Sequence, residues 1–334
     1  MNRIFYLDIL KLVAALAVIM LHVSCYYCFI PNWSGDWLIG CILDSACRWC
    51  VPIFFMASGV VFIQKEEMPT NRIWIKYIPH LLIVFIIWNI FYTAGLDPLI
   101  SMLKGDVIDW HFEPVELLHP YTHLWFLPVL IVMYIMVPLF KAIRDNLRLI
   151  RYMLLVWFIC ICISCFAPDI LGVARAGWLV NYSGLFLLGY YLHRVDFTKK
   201  KRTIICIIGA ISLLFTIAVT TYSKYSYGIF NQKYFEYLAP NVVVMAASIF
   251  VGFKYLPSMN PRFQKIIQAL SPLQLGIYVI HFACIVLLQR PHFFNMLPDI
   301  AILQIVVVFI VTTLVSICGA WVLNKIPFVR KIIV

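Results

Sequence analysis

The stretch Tyr6–Cys28, YLDILKLVAALAVIMLHVSCYYC, decides how the rest of the chain is read. It is long enough to cross a bilayer, whose hydrocarbon core takes about 20 helical residues. Yet it carries Asp8, Lys11 and His22 inside an otherwise apolar run, and an ionisable side chain at such depth costs about 2.5 kcal/mol or more. At about 100° per residue, Lys11 and His22 project from one face of a helix, about 16 Å apart along its axis. Asp8 sits three residues before Lys11, the spacing of a helical charge pair. Taken singly, each has an ordinary reading: Asp8 and Lys11 can snorkel to headgroups, and His22 can hydrogen-bond a neighbouring helix. Three on one stripe make a polar track through the membrane, which is what a reaction or transport path needs.

The composition agrees: 334 residues, 63% hydrophobic and 12% charged, with mean hydropathy +0.94. The expected fold is all-α, a single polytopic membrane domain over residues 1–334. Apolar runs of spanning length fall near 6–28, 37–63, 73–94, 122–140, 150–166, 177–193, 203–222, 237–256, 266–289 and 299–323, about ten helices. The first is too long, and too poor in basic residues at its start, for a cleaved signal peptide.

Basic residues in short loops are retained on the cytoplasmic side. They alternate here: Arg3, then Lys65, Arg72 and Lys76, then Lys141, Arg144, Arg148 and Arg151, then Arg194 and Lys199 to Arg202, then Lys254, Arg262 and Lys265, then Lys325, Arg330 and Lys331. The intervening loops hold only Lys104, Arg175, Lys224, Lys233 and Arg290. Both termini are therefore expected to be cytoplasmic. The net charge of +11 is then topological bias and attraction to anionic membrane lipid, and calls for no nucleic-acid partner. The 11 cysteines lie mostly within spans, where a free thiol behaves as a small apolar residue. No disulfide framework and no metal site is expected; HisxPheGlu and HisxxxHis in the loop 95–122 are weak metal signals.

The second span holds Asp44 and Arg48 at i, i+4, acid before base, the favourable order for a helix pair. Arg48 lies about 18 Å from Asp36, near the midplane. Pro52 follows and suggests a local break, and Ser58–Gly59 suggests close helix packing. A permanent charge at that depth is a functional candidate, with a structural Asp–Arg clamp as the alternative. The loop 95–122 is acidic and carries interleaved apolar residues, suggesting an amphipathic or re-entrant element or a solvated lid. HLWFLP then places His123 and Trp125 at the interface. The fifth to eighth spans read as scaffold. In the ninth, Ser271, Gln274, Tyr278 and His281 form an i, i+3, i+7, i+10 stripe able to reach the first helix, with His281 near the depth of His22.

Four of these stretches, in this order, resemble the acyltransferase-3 family of integral membrane acyltransferases across nearly the whole chain. FYLDILKLVAALAVIMLH is similar to the family's first-helix block, in which an Arg precedes a His. CRWCVPIFFMASG resembles its Arg–Val–Pro–Phe–Phe–Ser–Gly block, HLWFLPVLIVMYIMVP its HLWFL block, and SPLQLGIYVIH its SxxSxxIYxxH ending. Lys11 stands where the family has Arg, which keeps the charge but not the bidentate fork.

The resemblance implies transfer of an acyl group, most often acetyl, from cytoplasmic acyl-coenzyme A to a hydroxyl of a cell-envelope glycan, a lipid-linked sugar or a small metabolite. It also implies a bacterial plasma membrane. On this reading His22 is the base that activates the hydroxyl or the group that takes the acyl itself, with direct attack preferred. Lys11 binds acetyl-CoA or another acyl-CoA donor, and Arg48 serves the oxyanion or the donor's phosphates. Asp8 orients Lys11, and Asp44 neutralises Arg48. Tyr278 and His281 bind the acceptor or support His22, with His123 and Trp125 also supporting. A homo-oligomer is left open. The competing expectation is a transporter or flippase that uses the same polar track without chemistry; a purely structural membrane subunit comes third.

Overall fold

The computed structural model describes residues 4–64, 69–104, 119–167, 181–257, 259–289 and 296–333. Among them no strand forms, and nine helical stretches are long and apolar enough to cross a membrane. The protein is an all-α, multi-pass membrane protein. The expected sixth span, 177–193, is seen as a helix over Ser183–Arg194, residues 168–180 lying outside those described. The acidic part of the loop, with His111, likewise lies outside them; its first part is helical over Asp97–Lys104.

The helices used below are α1 (Phe5–Cys28), α2 (Gly35–Cys47), α3 (Cys50–Gln64), α4 (Ile78–Ile90), α5 (Phe126–Ile143), α6 (Leu147–Phe166), α7 (Ser183–Arg194), α8 (Lys199–Tyr227), α9 (Pro240–Lys254), α10 (Pro261–Leu270), α11 (Gln274–Leu288) and α12 (Ala301–Lys325). Proline explains where long apolar runs are interrupted. Pro52 has no N–H to give the Arg48 carbonyl one turn back, and the second span divides there into α2 and α3. Pro272 tightens Ser271–Leu273 into a 3-10 turn between α10 and α11, where a continuous helix was expected. The third span contains wide π-type turns at Ile73–Tyr77 and Phe91–Leu96, each shortly before a proline, Pro79 and Pro98.

The core is one large cluster of buried side chains drawn from α1, α3, α4, α5, α7 and α9, with a smaller one where α1, α11 and α12 meet. The packing expected at Ser58–Gly59 is tight. A Cβ on Gly59 would lie 1.9 Å from the Phe186 carbonyl oxygen, and one on Gly189 would lie 2.1 Å from that of Met56. Helices α3 and α7 therefore cross backbone to backbone, as small residues permit in membranes. Lys224, expected in a loop, is instead buried at the end of α8, where its Nζ donates to the carbonyls of Ile30 (3.0 Å) and Pro31 (2.6 Å).

Candidate active site

Helices α1 and α11 run side by side in the same direction, because their contacts climb both together. Near the start of α1, Asp8 accepts from Ser271 Oγ at 2.9 Å, and its backbone carbonyl accepts from Gln274 Nε2 at 3.3 Å. Lys11 Nζ lies 3.8 Å from Asp8 Oδ1, the pair expected from their spacing; the Lys11 side chain keeps 27% of its surface exposed. About three turns on, the His22 and His281 rings lie 5.4 Å apart between centroids. Beyond them Gln289 Nε2 donates to the Val23 carbonyl at 3.2 Å. The polar stripe of the ninth span thus faces the first helix along its length.

His281 is fully buried, and its Nδ1 lies 2.5 Å from the Tyr278 carbonyl. A carbonyl can only accept, so Nδ1 carries the proton and Nε2 presents its lone pair. Among the described residues that buried Nε2 has no hydrogen-bond partner. His123, expected at the interface, is instead buried, its ring 5.3 Å from that of His281 and stacked on Phe282 at 4.8 Å. The reason is local: α5 begins only at Phe126, so His123 sits in a turn folded back under α11. Tyr278 holds that turn by donating its hydroxyl to the His123 carbonyl. Tyr92 fixes α11 in turn, donating to the Val279 carbonyl at 2.6 Å.

The third group comes from the break between α2 and α3. Arg48 Nη2 meets Asp44 Oδ2 at 2.6 Å, and Asp44 also accepts from Cys28 Sγ at 3.6 Å. Arg48 Nη1 donates to the Phe235 carbonyl at 3.4 Å, and the guanidinium carbon lies 4.6 Å from the Phe235 ring and 5.9 Å from that of Tyr237. Its Nε is buried with no partner among the described residues, and Arg48 lies close enough to act electrostatically on His22. Trp125 stacks on Tyr237 at 5.5 Å, so it borders the site through an aromatic link rather than by contact with a histidine.

Sequence reasoning did not single out Phe235, Tyr237, Tyr92 or Phe282. An aromatic in an apolar run carries no mark of a polar partner, and the segment Gln232–Phe235 falls in the loop between the expected spans 203–222 and 237–256. It supplies part of the Arg48 enclosure. Among the described residues no three His, Cys, Asp or Glu side chains come together in a metal-holding group, and all 11 cysteines are free.

The arrangement supplies an imidazole pair, His281 buried and His22 half-buried, the Arg48 cation beside it, and a second cation, Lys11, about three turns from His22 on α1. Those are the groups needed to deprotonate a hydroxyl, to stabilise an oxyanion and to hold an anionic donor. No curated protein and no solved structure matches the chain. A family model described as an acyltransferase domain matches residues 4–324. The chain therefore belongs to the acyltransferase-3 family of membrane acyltransferases.

Proposed function

We propose that the protein transfers an acyl group, acetyl in the simplest case, from acyl-coenzyme A to a hydroxyl of a cell-envelope glycan, a lipid-linked sugar or a small metabolite. The carrying observation is the placement of the His22 ring beside that of His281, whose Nε2 has no hydrogen-bond partner among the described residues. His22 takes the acceptor's proton as its oxygen attacks the thioester carbonyl, and His281 steadies the imidazolium that forms. The free Arg48 Nε–H donates to the oxyanion; Asp44 holds the guanidinium in place. When the C–S bond breaks, coenzyme A leaves as thiolate and recovers the proton from His22. The products are an ester and free coenzyme A.

Lys11, oriented by Asp8, binds the donor's carbonyl or phosphate oxygens as a point charge. With the N-terminus cytoplasmic, Lys11 lies on the cytoplasmic side of His22, where coenzyme A is found. Tyr278, His123 and Trp125 shape the acceptor's place around the histidines. A bacterial plasma membrane fits acceptors of this kind.

The test uses purified protein in lipid nanodiscs. Acetyl-CoA should bind more tightly than coenzyme A by calorimetry, and Lys11→Ala should weaken that binding. Thiol release should fall by about 10²–10⁴-fold in His22→Ala, the usual contribution of general base catalysis. Near-normal release from folded His22→Ala protein removes the catalytic assignment; no binding in folded wild type removes the donor.

A further inference from the structure

We propose that the cavity between α3, α4, α5 and α11 is an acyl-chain pocket, so that this protein uses donors whose acyl group is longer than acetyl. The inference rests on the coenzyme A reading above. The cavity holds about 220 Å³. That is room for several methylene groups, each of about the 30 Å³ that a water molecule occupies in the liquid.

Its wall is shared with the candidate site. Tyr278 lines it, and the same residue donates its hydroxyl to the His123 carbonyl and offers its own carbonyl to His281 Nδ1. Gln274 lines it one turn earlier, and its amide nitrogen holds the Asp8 carbonyl. The cavity thus lies beside the seam between the Asp8–Lys11 pair and the His22–His281 pair. A thioester whose carbonyl sits at His22 has this space within one or two turns of α11.

The chemistry of the lining selects the occupant. Phe54, Leu81, Phe126, Leu130 and Leu275 supply an apolar surface. Ser58, Tyr134, Gln274 and Tyr278 are the polar members, and two of them are turned to the candidate site: Tyr278 donates its hydroxyl to the His123 carbonyl and Gln274 one amide N–H to that of Asp8. Among the described residues no charged side chain lines the cavity, so it offers no counterion to a phosphate. A pantetheine arm brings two amides and a sugar brings several hydroxyls, each left poorly matched there. An aliphatic chain needs no partner and gains from each methylene it buries.

The experiment follows binding and thiol release in nanodiscs with acetyl-, butyryl-, hexanoyl- and octanoyl-CoA. One methylene seated in an apolar pocket changes discrimination by about 10–200-fold. Wild type should therefore prefer hexanoyl-CoA to acetyl-CoA by about tenfold or more. Leu275, half-buried at the rim, is varied in both directions. Leu275→Phe should lower the hexanoyl-to-acetyl ratio, and Leu275→Ala should move the optimum to a longer chain. Misfolding would push both variants the same way for every donor. Acetyl-CoA used with no gain from added methylenes, or a ratio unchanged in both variants, overturns the pocket and leaves the donor reading standing. No binding or release with any acyl-CoA overturns both.

Discussion

Helices α1 and α8 are both apolar enough to span a membrane, yet 61% of the most apolar window of α1 is buried inside the protein against 17% of that of α8. The two handle polarity differently. In α8, Ile207, Ile211 and Leu214 are more than half exposed, and the inward-facing polar groups are met by scattered single contacts or by none. Thr216 donates to the Ser212 carbonyl one turn back and accepts from Asn241 of α9, Lys224 caps two carbonyls of the loop after α1, and Thr220 Oγ1 is buried with no partner among the described residues. In α1 the polar groups meet side chains from another helix: Asp8 meets Ser271, and His22 meets His281. The difference separates polarity that completes a scaffold from polarity that assembles a site. The first consists of isolated hydrogen bonds that each close one gap in the packing, whereas the second gathers several ionisable side chains from different helices at one place.

The largest expected effect lies where a site charge has a single counterion. Arg48→Ala leaves Asp44 fully buried without its cation, and removing one partner of a buried pair destabilises by about 3–5 kcal/mol. Thermal unfolding in nanodiscs should show that loss. The double variant Arg48→Ala/Asp44→Ala should recover much of it, because no lone charge then remains. Equal loss in single and double variants would mean that the Arg48 aromatic contacts, not the charge pair, hold the α2–α3 break against Phe235 and Tyr237. Arg48→Lys should keep most of the stability while losing activity, since lysine lacks the guanidinium Nε–H.

A smaller effect is expected at the α3–α7 crossing. Gly59→Ala puts a methyl 1.9 Å from a backbone carbonyl oxygen that cannot rotate away. The helices must separate, at about 1–3 kcal/mol for overpacking of this kind. The unfolding midpoint should fall. Because Met56 and Phe55 lie on the same helix within the core, activity should fall with it. An unchanged midpoint would mean that this crossing relaxes freely and that α3 is not a rigid wall of the site.

These contrasts show what could be read from the chain and what could not. The long uninterrupted apolar runs of α1, α8 and α12 reveal spans directly, because a window of about 20 apolar residues has few other uses. The Asp8–Lys11 and Asp44–Arg48 pairs were legible because helical spacing alone sets them. The stripe from Ser271 to His281 was legible for the same reason, although Pro272 puts a tight turn at its foot. His123 was misplaced because hydropathy averaged over a window cannot see that the helix starts at Phe126. Nor can any periodicity reveal that Phe235 and Tyr237 fold over Arg48, since that enclosure joins residues 187 or more positions apart. Partners contributed across helices are a property of packing, and packing is not periodic in one sequence.

The smallest expected effect separates the two regions most cleanly. Gly252, near the end of α9, is exposed, and a Cβ there would meet no atom within 4 Å. Glycine in a helix interior is less favourable than alanine by about 0.5–1 kcal/mol, because it gives up more backbone freedom on folding. Gly252→Ala should therefore raise the unfolding midpoint slightly and leave thiol release unchanged. The same substitution that opens the α3–α7 crossing would then strengthen a helix away from the site, and the sign would be set by what the new methyl meets. A fall at Gly252 as large as that at Gly59 would mean that this end of α9 also packs against something, and that the boundary between site and scaffold lies farther out than α1, α3 and α11.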